Sequence, residues 1–249
     1  MSNDDGPTTP RSIPAADGLE WRIAEGGELD LTRADREMSE RGFDRVRTLV
    51  QLRRPLPLDA PALEGIPAIT TRPFDPARDR HDLLAVNNAA FDWHPEQGNW
   101  DLADLDSALD QDWVDPAGIL VHDSPPTGTP SAGAPSTGQV VTDAVAGSDP
   151  GIDGFCWTRV HPADDPELIA NGDPALGEIW VIGAHPSRHG TRLGPALVAA
   201  GLDHLASKGL GTAMLYTEED NEPAMRMYER MGFGVHQRRG GYAPTGGPR

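Results

Sequence analysis

The stretch "HPSRHGTRLGPALVAAGLDHL" (residues 185–205) joins a basic, glycine-containing loop to an apolar run. Arg188, His189 and Arg192 gather there around Gly190 and Gly194, in a chain whose net charge is -18. From Leu193 to about Ser207 the apolar residues recur three and four apart, which predicts a helix beginning near Arg192. A helix start exposes unpaired amides and the positive end of the macrodipole, and small residues let a phosphate approach that backbone. Neighbouring guanidinium groups would add charge. The same residues equally fit an ordinary strand-to-helix turn with solvated arginines. The spacing matches neither GxxxxGK[ST] nor GxGxxG, which disfavours an NTPase loop and a dinucleotide fingerprint.

Outward from this loop the order becomes regular. "EIWVIGA" precedes it as a strand, and "TAMLYT", a helix from Glu222 to about Met231 and the strand "FGVHQRR" follow. Strand, helix and strand in succession predict a parallel pair joined by a crossover, with the loop at the carboxyl end of the first strand, where open α/β sheets bind ligands. Upstream, "DPARDRHDLLAVNNAAF" and "DLADLDSAL" read as helices, each headed by Asp. The loop between them, "DWHPEQGNW", carries aromatics and Glu96. "GILVH" and "GFCWTRV" read as a hairpin interrupted by a long disordered loop, residues 123–151, too rich in Pro, Gly and Ser to order. Residues 1–18 are expected to be a mobile tail.

An internal echo sets the expected domain plan. "ADREMSERGFDRVR" from Ala34 resembles "AMRMYERMGFGVHQR" from Ala224, each a helix ending in Glu-Arg, then Gly-Phe, then a strand. The first copy lacks the strand, basic loop and helix that precede the second. Residues 19–66 are therefore expected to be the remnant of a twin domain plus a linker, and residues 67–245 the main α/β domain.

Composition narrows the partners. The 39 acidic against 21 basic side chains and a sequence pI near 4.6 disfavour nucleic acid and anionic membranes, which attract Lys and Arg. The N-terminus has no apolar leader segment and no uninterrupted apolar run approaches the roughly 18 residues of a membrane span, so a soluble, cytoplasmic monomer is expected. Cys156 is the single cysteine, which excludes an intramolecular disulfide and a cysteine-based zinc cluster. It is expected to be a buried, inert thiol. His94, His185 and His236 show no metal-ligand spacing, and no metal is assigned.

With these parts in order, the chain resembles the GNAT-type acetyltransferases. In that family a Gln/Arg-x-x-Gly-x-Gly/Ala loop holds the coenzyme A pyrophosphate, and a later Asn-x-x-Ala/Ser-x-x-x-Tyr-x-x-x-Gly-Phe completes the site. "HGTRLG" (189–194) and "NEPAMRMYERMGF" (221–233) stand in those places. Asn221, Ala224, Tyr228, Gly232 and Phe233 are in register, whereas His189 and Arg192 depart from the loop pattern. Within the superfamily the chain resembles the mycothiol synthases, through "HPEQGNW", "DPAGIL", "GFCWTRVHP", "GEIWVIGAHP", "LGPAL" and "MLYTEEDN". "GFDRVRTLVQLRRPLP" resembles the end of that family's first domain. The resemblance implies a GNAT fold, a mixed central sheet flanked by helices.

It also implies acetyl-CoA as donor and, as acceptor, the cysteinyl amine of a cysteinyl-glucosaminyl-inositol. By position, it implies that Ile182, Gly183 and Ala184 hold the pantetheine arm. His189, Gly190, Thr191, Arg192, Leu193, Gly194 and Pro195 would hold the pyrophosphate, and Asn221, Glu222, Pro223, Ala224, Met225 and Arg226 would continue the coenzyme site. Glu96, Arg159, Glu178 and Tyr216 would contact the acceptor. Other readings are a GNAT enzyme for a different primary amine, or a catalytically silent CoA-binding module.

The chemistry of the residues fits these roles. An amine attacking a thioester must lose a proton, which Glu178 could accept, and Tyr228 could donate its phenolic proton to the departing thiolate. Alternation places Glu178, Trp180 and Ile182 on one strand face, where an unpaired charge would be costly. A salt-bridged Glu178 and a merely packed Tyr228 are the structural alternatives, and for Asn221 helix capping is favoured over ligand contact.

Overall fold

The computed structural model describes residues 18–24, 30–93, 97–125, 151–165, 168–169 and 172–246. The tail to residue 17, residues 126–150 of the expected disordered loop and residues 94–96, including Glu96, lie outside them. The elements are β1 (Glu20–Ile23), α1 (Thr32–Glu40), β2 (Phe43–Pro55), β3 (Arg72–Pro73), α2 (Pro76–Ala90), α3 (Leu102–Leu109), β4 (Ile119–Asp123), β5 (Ile152–His161), β6 (Leu176–Ala184), α4 (Leu193–Ser207), β7 (Thr212–Glu218), α5 (Glu222–Arg230) and β8 (Gly234–Pro244).

Caps set the helix starts. Asp75 accepts from the Ala77 amide at 3.0 Å and is followed by Pro76 at the first helical position of α2. Asp101 and Asp104 form a reciprocal capping box at α3. Asn221 Oδ1 accepts from the Ala224 amide at 3.2 Å, so the capping reading of Asn221 is what the structure shows.

Eight strands form one mixed sheet in the order β1-β8-β2-β7-β6-β5-β4-β3, with β6 and β7 parallel and the other neighbours antiparallel. On one face α4 and α5 bury Val50, Leu52, Cys156, Ile179 and Leu215. On the other, Leu83 and Val86 of α2 and Leu105 of α3 pack on Phe155, Trp157 and Val181. α4 approaches the sheet closely at Gly201, where an added Cβ would lie 2.4 Å from Cys156 Sγ. Among the described residues no helix is long and apolar enough to cross a membrane.

The segment expected as a remnant contributes β1 and β2 to this same sheet, and β2 lies between β7 and β8. The sheet therefore carries no break at residue 66. The echo is visible in three dimensions: β1, α1 and β2 repeat the run of β7, α5 and β8, and Gly42 and Gly232 both leave their helices at φ 81°. Strands are exchanged between these two runs. β1 pairs with β8, β7 pairs with β2, and β2 pairs with β8 at the centre.

One sequence expectation needs correction. Register on β5 shifts between Trp157, opposite Val181, and Thr158, opposite Ile179, so Trp180 is the extra residue of a β-bulge. Alternation breaks there. Ile182 packs in the α4 cluster with Ile179, while Trp180 packs on the opposite face, so Glu178, Trp180 and Ile182 do not share one strand face.

Candidate active site

The parallel strands β6 and β7 are paired only where Gly177, Glu178 and Ile179 face Ala213, Met214 and Leu215. Beyond Ile179 the bulge turns β6 away. Residues Val181–Ala184 continue to pair with β5 while β7 runs on to Glu218 alongside β2, so the sheet splits between β6 and β7. The β7-facing backbone of Ile182, Gly183 and Ala184 thereby becomes available to an extended, amide-bearing ligand.

The basic loop stands at the mouth of this split. His185 caps a short 3-10 turn, Pro186–Arg188, and Gly190 and Arg192 adopt φ of 79° and 64° before α4 begins. Arg192 is the described non-glycine residue with positive φ, a conformation costing an L-residue about 1–2 kcal/mol. That explains why the family pattern has glycine there. The first intrahelical donor is Ala196, bonding the Arg192 carbonyl at 3.3 Å, and no side chain caps α4. The amides of Leu193 and Gly194 therefore point out of the helix start. Neither guanidinium behaves as a simple phosphate arm: Arg188 pairs with Asp153 at 2.8 Å, and Arg192 donates to the Gly65 carbonyl at 2.5 Å.

Across the split, α5 carries the second motif. Glu222 and Arg226 form an exposed ion pair at 2.8 Å, Ala224 and Met225 pack partly against the core, and Tyr228 is buried with its ring 5.6 Å from that of Phe233. Burial, with the Cys156 thiol nearby, pushes the Tyr228 phenol well above its ordinary range, so it remains protonated and able to donate. Cys156 is itself buried, and its thiol is pushed up to about 12 by desolvation, as expected of an inert cysteine.

The opposite sheet face gathers the acceptor candidates. Glu178 is 2 % exposed, and its Oε2 lies 2.8 Å from His161 Nε2. His161 Nδ1 lies 3.5 Å from Asp165 Oδ2. Arg159 faces Glu178 in register and stacks 4.7 Å from the Trp113 ring, which with Trp157 and Trp180 forms an aromatic cluster. Arg159 Nε, Trp157 Nε1 and Trp180 Nε1 are buried donors without a hydrogen-bond partner in the protein. Tyr216 accepts at its hydroxyl from Gln51 at 2.5 Å and from Arg239 at 2.6 Å. Gln51 is held in turn by Arg53 Nε at 2.8 Å, and Arg53 by a two-pronged pair with Asp173 at 2.7 and 2.8 Å. Among the described residues no group of three or more His, Cys, Asp or Glu side chains is placed to hold a metal.

The structure thus brings Arg159, Glu178 and Tyr216 to one face, and puts Tyr228 on the other. Sequence reading missed His161, Gln51, Arg53 and Arg239. His161 was accessible, because it stands two residues after Arg159 on a strand and so shares its face. Gln51 was not, since its partner lies 165 residues away.

A mixed sheet opened between two parallel strands, with an uncapped helix start at the opening, defines the acyl-CoA N-acyltransferase class of fold. Residues 88–233 match the acetyltransferase (GNAT) family, and the chain belongs to that family. It is 42 % identical over 192 residues to a mycothiol acetyltransferase of Rhodococcus erythropolis, covering 76 % of this chain and 54 % of the relative. It is 41 % identical to a mycothiol acetyltransferase of Frankia alni, covering 84 % of this chain and 56 % of the relative. The chain therefore spans little more than half the length of these curated relatives. Among solved structures, a GCN5-related N-acetyltransferase from Sphaerobacter thermophilus shares the fold with a TM-score of 0.60 at 20 % identity, over 90 % of this chain and 58 % of that one.

Proposed function

We propose that the chain transfers acetyl from acetyl-CoA to the cysteinyl amine of cysteinyl-glucosaminyl-inositol, giving mycothiol in the cytoplasm. The observation that carries this reading is the split between β6 and β7, which would give one ligand access to both sheet faces. Acetyl-CoA supplies an activated acetyl thioester when bound. Ile182, Gly183 and Ala184 would hold its pantetheine arm by backbone bonds. The loop from His189 to Pro195 would hold the pyrophosphate through the Leu193 and Gly194 amides, and Asn221–Arg226 would flank it. The similarity to the mycothiol acetyltransferases supports the acceptor.

Glu178 takes the proton that the attacking amine loses, and Tyr228 gives its phenolic proton to the departing sulfur. No covalent enzyme intermediate is needed. The buried donors Arg159 Nε and Trp180 Nε1 beside aromatic rings suit a polyhydroxylated acceptor, whose oxygens accept hydrogen bonds and whose ring C–H faces pack on indoles. The strand exchange supports reading residues 19–66 as the end of a related domain.

The test is release of free CoA from acetyl-CoA and the cysteinyl pseudodisaccharide, compared across a panel of simple amines. Turnover fastest with the pseudodisaccharide and reduced about 100-fold or more in Glu178→Gln supports the reading. Absence of turnover in folded protein, or preference for an unrelated amine, overturns the acceptor assignment.

A further inference from the structure

Glu178 poses a problem for any proton-accepting role. A carboxylate only 2 % exposed is disfavoured in its charged form unless something nearby is charged or donates to it, and a protonated carboxylic acid cannot take a proton from an amine. The sheet solves this with a residue from the neighbouring strand. His161 ends β5, is 7 % exposed, and sets Nε2 at 2.8 Å from Glu178 Oε2. Its other nitrogen faces Asp165 on the turn after β5, at 3.5 Å. The ring therefore bridges two carboxylates, one buried and one partly open to solvent.

We propose that His161 is the positioning residue of the acceptor site: it donates Nε2–H to Glu178 Oε2, fixes the orientation of that carboxylate, and leaves Oε1 to receive the amine proton. Asp165 Oδ2 lies 3.5 Å from the other ring nitrogen. This rests on the reading of Glu178 as the proton acceptor and deepens it. The bond made by His161 occupies one carboxylate oxygen and one orientation, so a single direction remains for the acceptor's nitrogen. During the reaction the amine N–H proton passes to Oε1 while the Nε2–H bond to Oε2 persists, and no oxidant or further group is required. Among the described residues, the other charged and titratable groups on this face beside the pair are Arg159, opposite Glu178 on β5, and Tyr216, two residues past Met214 on β7.

The experiment combines kinetics and spectroscopy on the full chain. With acetyl-CoA and the cysteinyl pseudodisaccharide, His161→Leu is expected to lower kcat by about 10- to 100-fold, part of what a positioned base contributes. KM for acetyl-CoA should stay within about twofold, because the pantetheine and phosphate contacts lie elsewhere. His161→Gln, whose side-chain amide can still donate to Oε2, should recover most of the rate. A merely structural histidine would not give a leucine-to-glutamine difference in kcat at unchanged KM for acetyl-CoA. Nitrogen NMR of labelled histidine in the protein without substrate should show His161 protonated at Nε2.

Wild-type kcat in a folded His161→Leu, or an Nε2 without a proton, overturns the proposal. Should the leucine variant not fold, the NMR result decides. Wild-type kcat in Glu178→Gln overturns instead the role of Glu178 as base, a result that leaves the His161–Glu178 bond itself testable by NMR.

Discussion

Gly201→Ala tests how tightly α4, and with it the helix start at the mouth of the split, is seated on the sheet. Alanine in place of glycine within a helix favours folding by about 1 kcal/mol. Here the new methyl would lie 2.4 Å from Cys156 Sγ, with Ile179 and Thr158 methyl carbons at 3.5 Å. Cys156 is fully buried, so its sulfur has one side-chain torsion with which to retreat into a filled core. Overpacking of this kind costs about 1–3 kcal/mol. The net change is thus a loss of up to about 2 kcal/mol, or a fall in Tm of up to roughly 4–8 °C for a chain of this size. Cys156→Ala removes the obstructing atom, and in the double variant the new methyl occupies much of the vacated space. Thermal and urea unfolding of the four proteins should give a favourable coupling between the two sites of about 1–3 kcal/mol. A stabilising Gly201→Ala on its own, or a coupling near zero, would refute the contact from which the seating of α4 is inferred.

Other consequences follow from the same geometry. Cys156, with its thiol pushed up to about 12, should resist iodoacetamide at pH 8 in native protein and react promptly in urea; rapid native labelling would contradict its burial. Gln51→Leu removes one of two donors to the Tyr216 hydroxyl and should raise KM for the acceptor several-fold while leaving KM for acetyl-CoA unchanged. Asp173 is held below its ordinary value chiefly by the Arg53 hydrogen bonds, so its contribution to stability is complete above the unfolded value and is lost as the pH falls through the folded one. Asp173→Asn should accordingly flatten the acid side of the stability curve, and an unchanged curve would show the pair to be without net effect.

Much of the fold was legible because it depends on local patterns. Asp75, Asp101 and Asn221 announce helix starts by side chains that reach their own helix amides, and the strand, basic loop and helix around Arg192 follow one another between Leu176 and Ser207. The echo at Gly42 and Gly232 was readable for the same reason, since a left-handed exit from a helix leaves a glycine in the sequence. The destination of the first copy was not. β2 pairs with strands more than 150 residues away, and nothing in the local run of Phe43–Pro55 distinguishes an edge strand from one inserted between β7 and β8. The bulge at Trp180 was equally hidden, because one extra residue shifts every later side chain without altering composition. In the site, Arg159, Glu178 and Tyr216 were found through resemblance, while Gln51 and Arg53, which hold Tyr216 in place, come from the segment expected to be a remnant.

The most direct test is a crystal structure of the chain with CoA. The pantetheine arm should lie between Ile182–Ala184 of β6 and the end of β7, with the diphosphate on the amides of Leu193 and Gly194 and its sulfur within reach of the Tyr228 hydroxyl. CoA bound on the outer surface of the sheet, or a diphosphate excluded by the Arg192 side chain, would contradict the account.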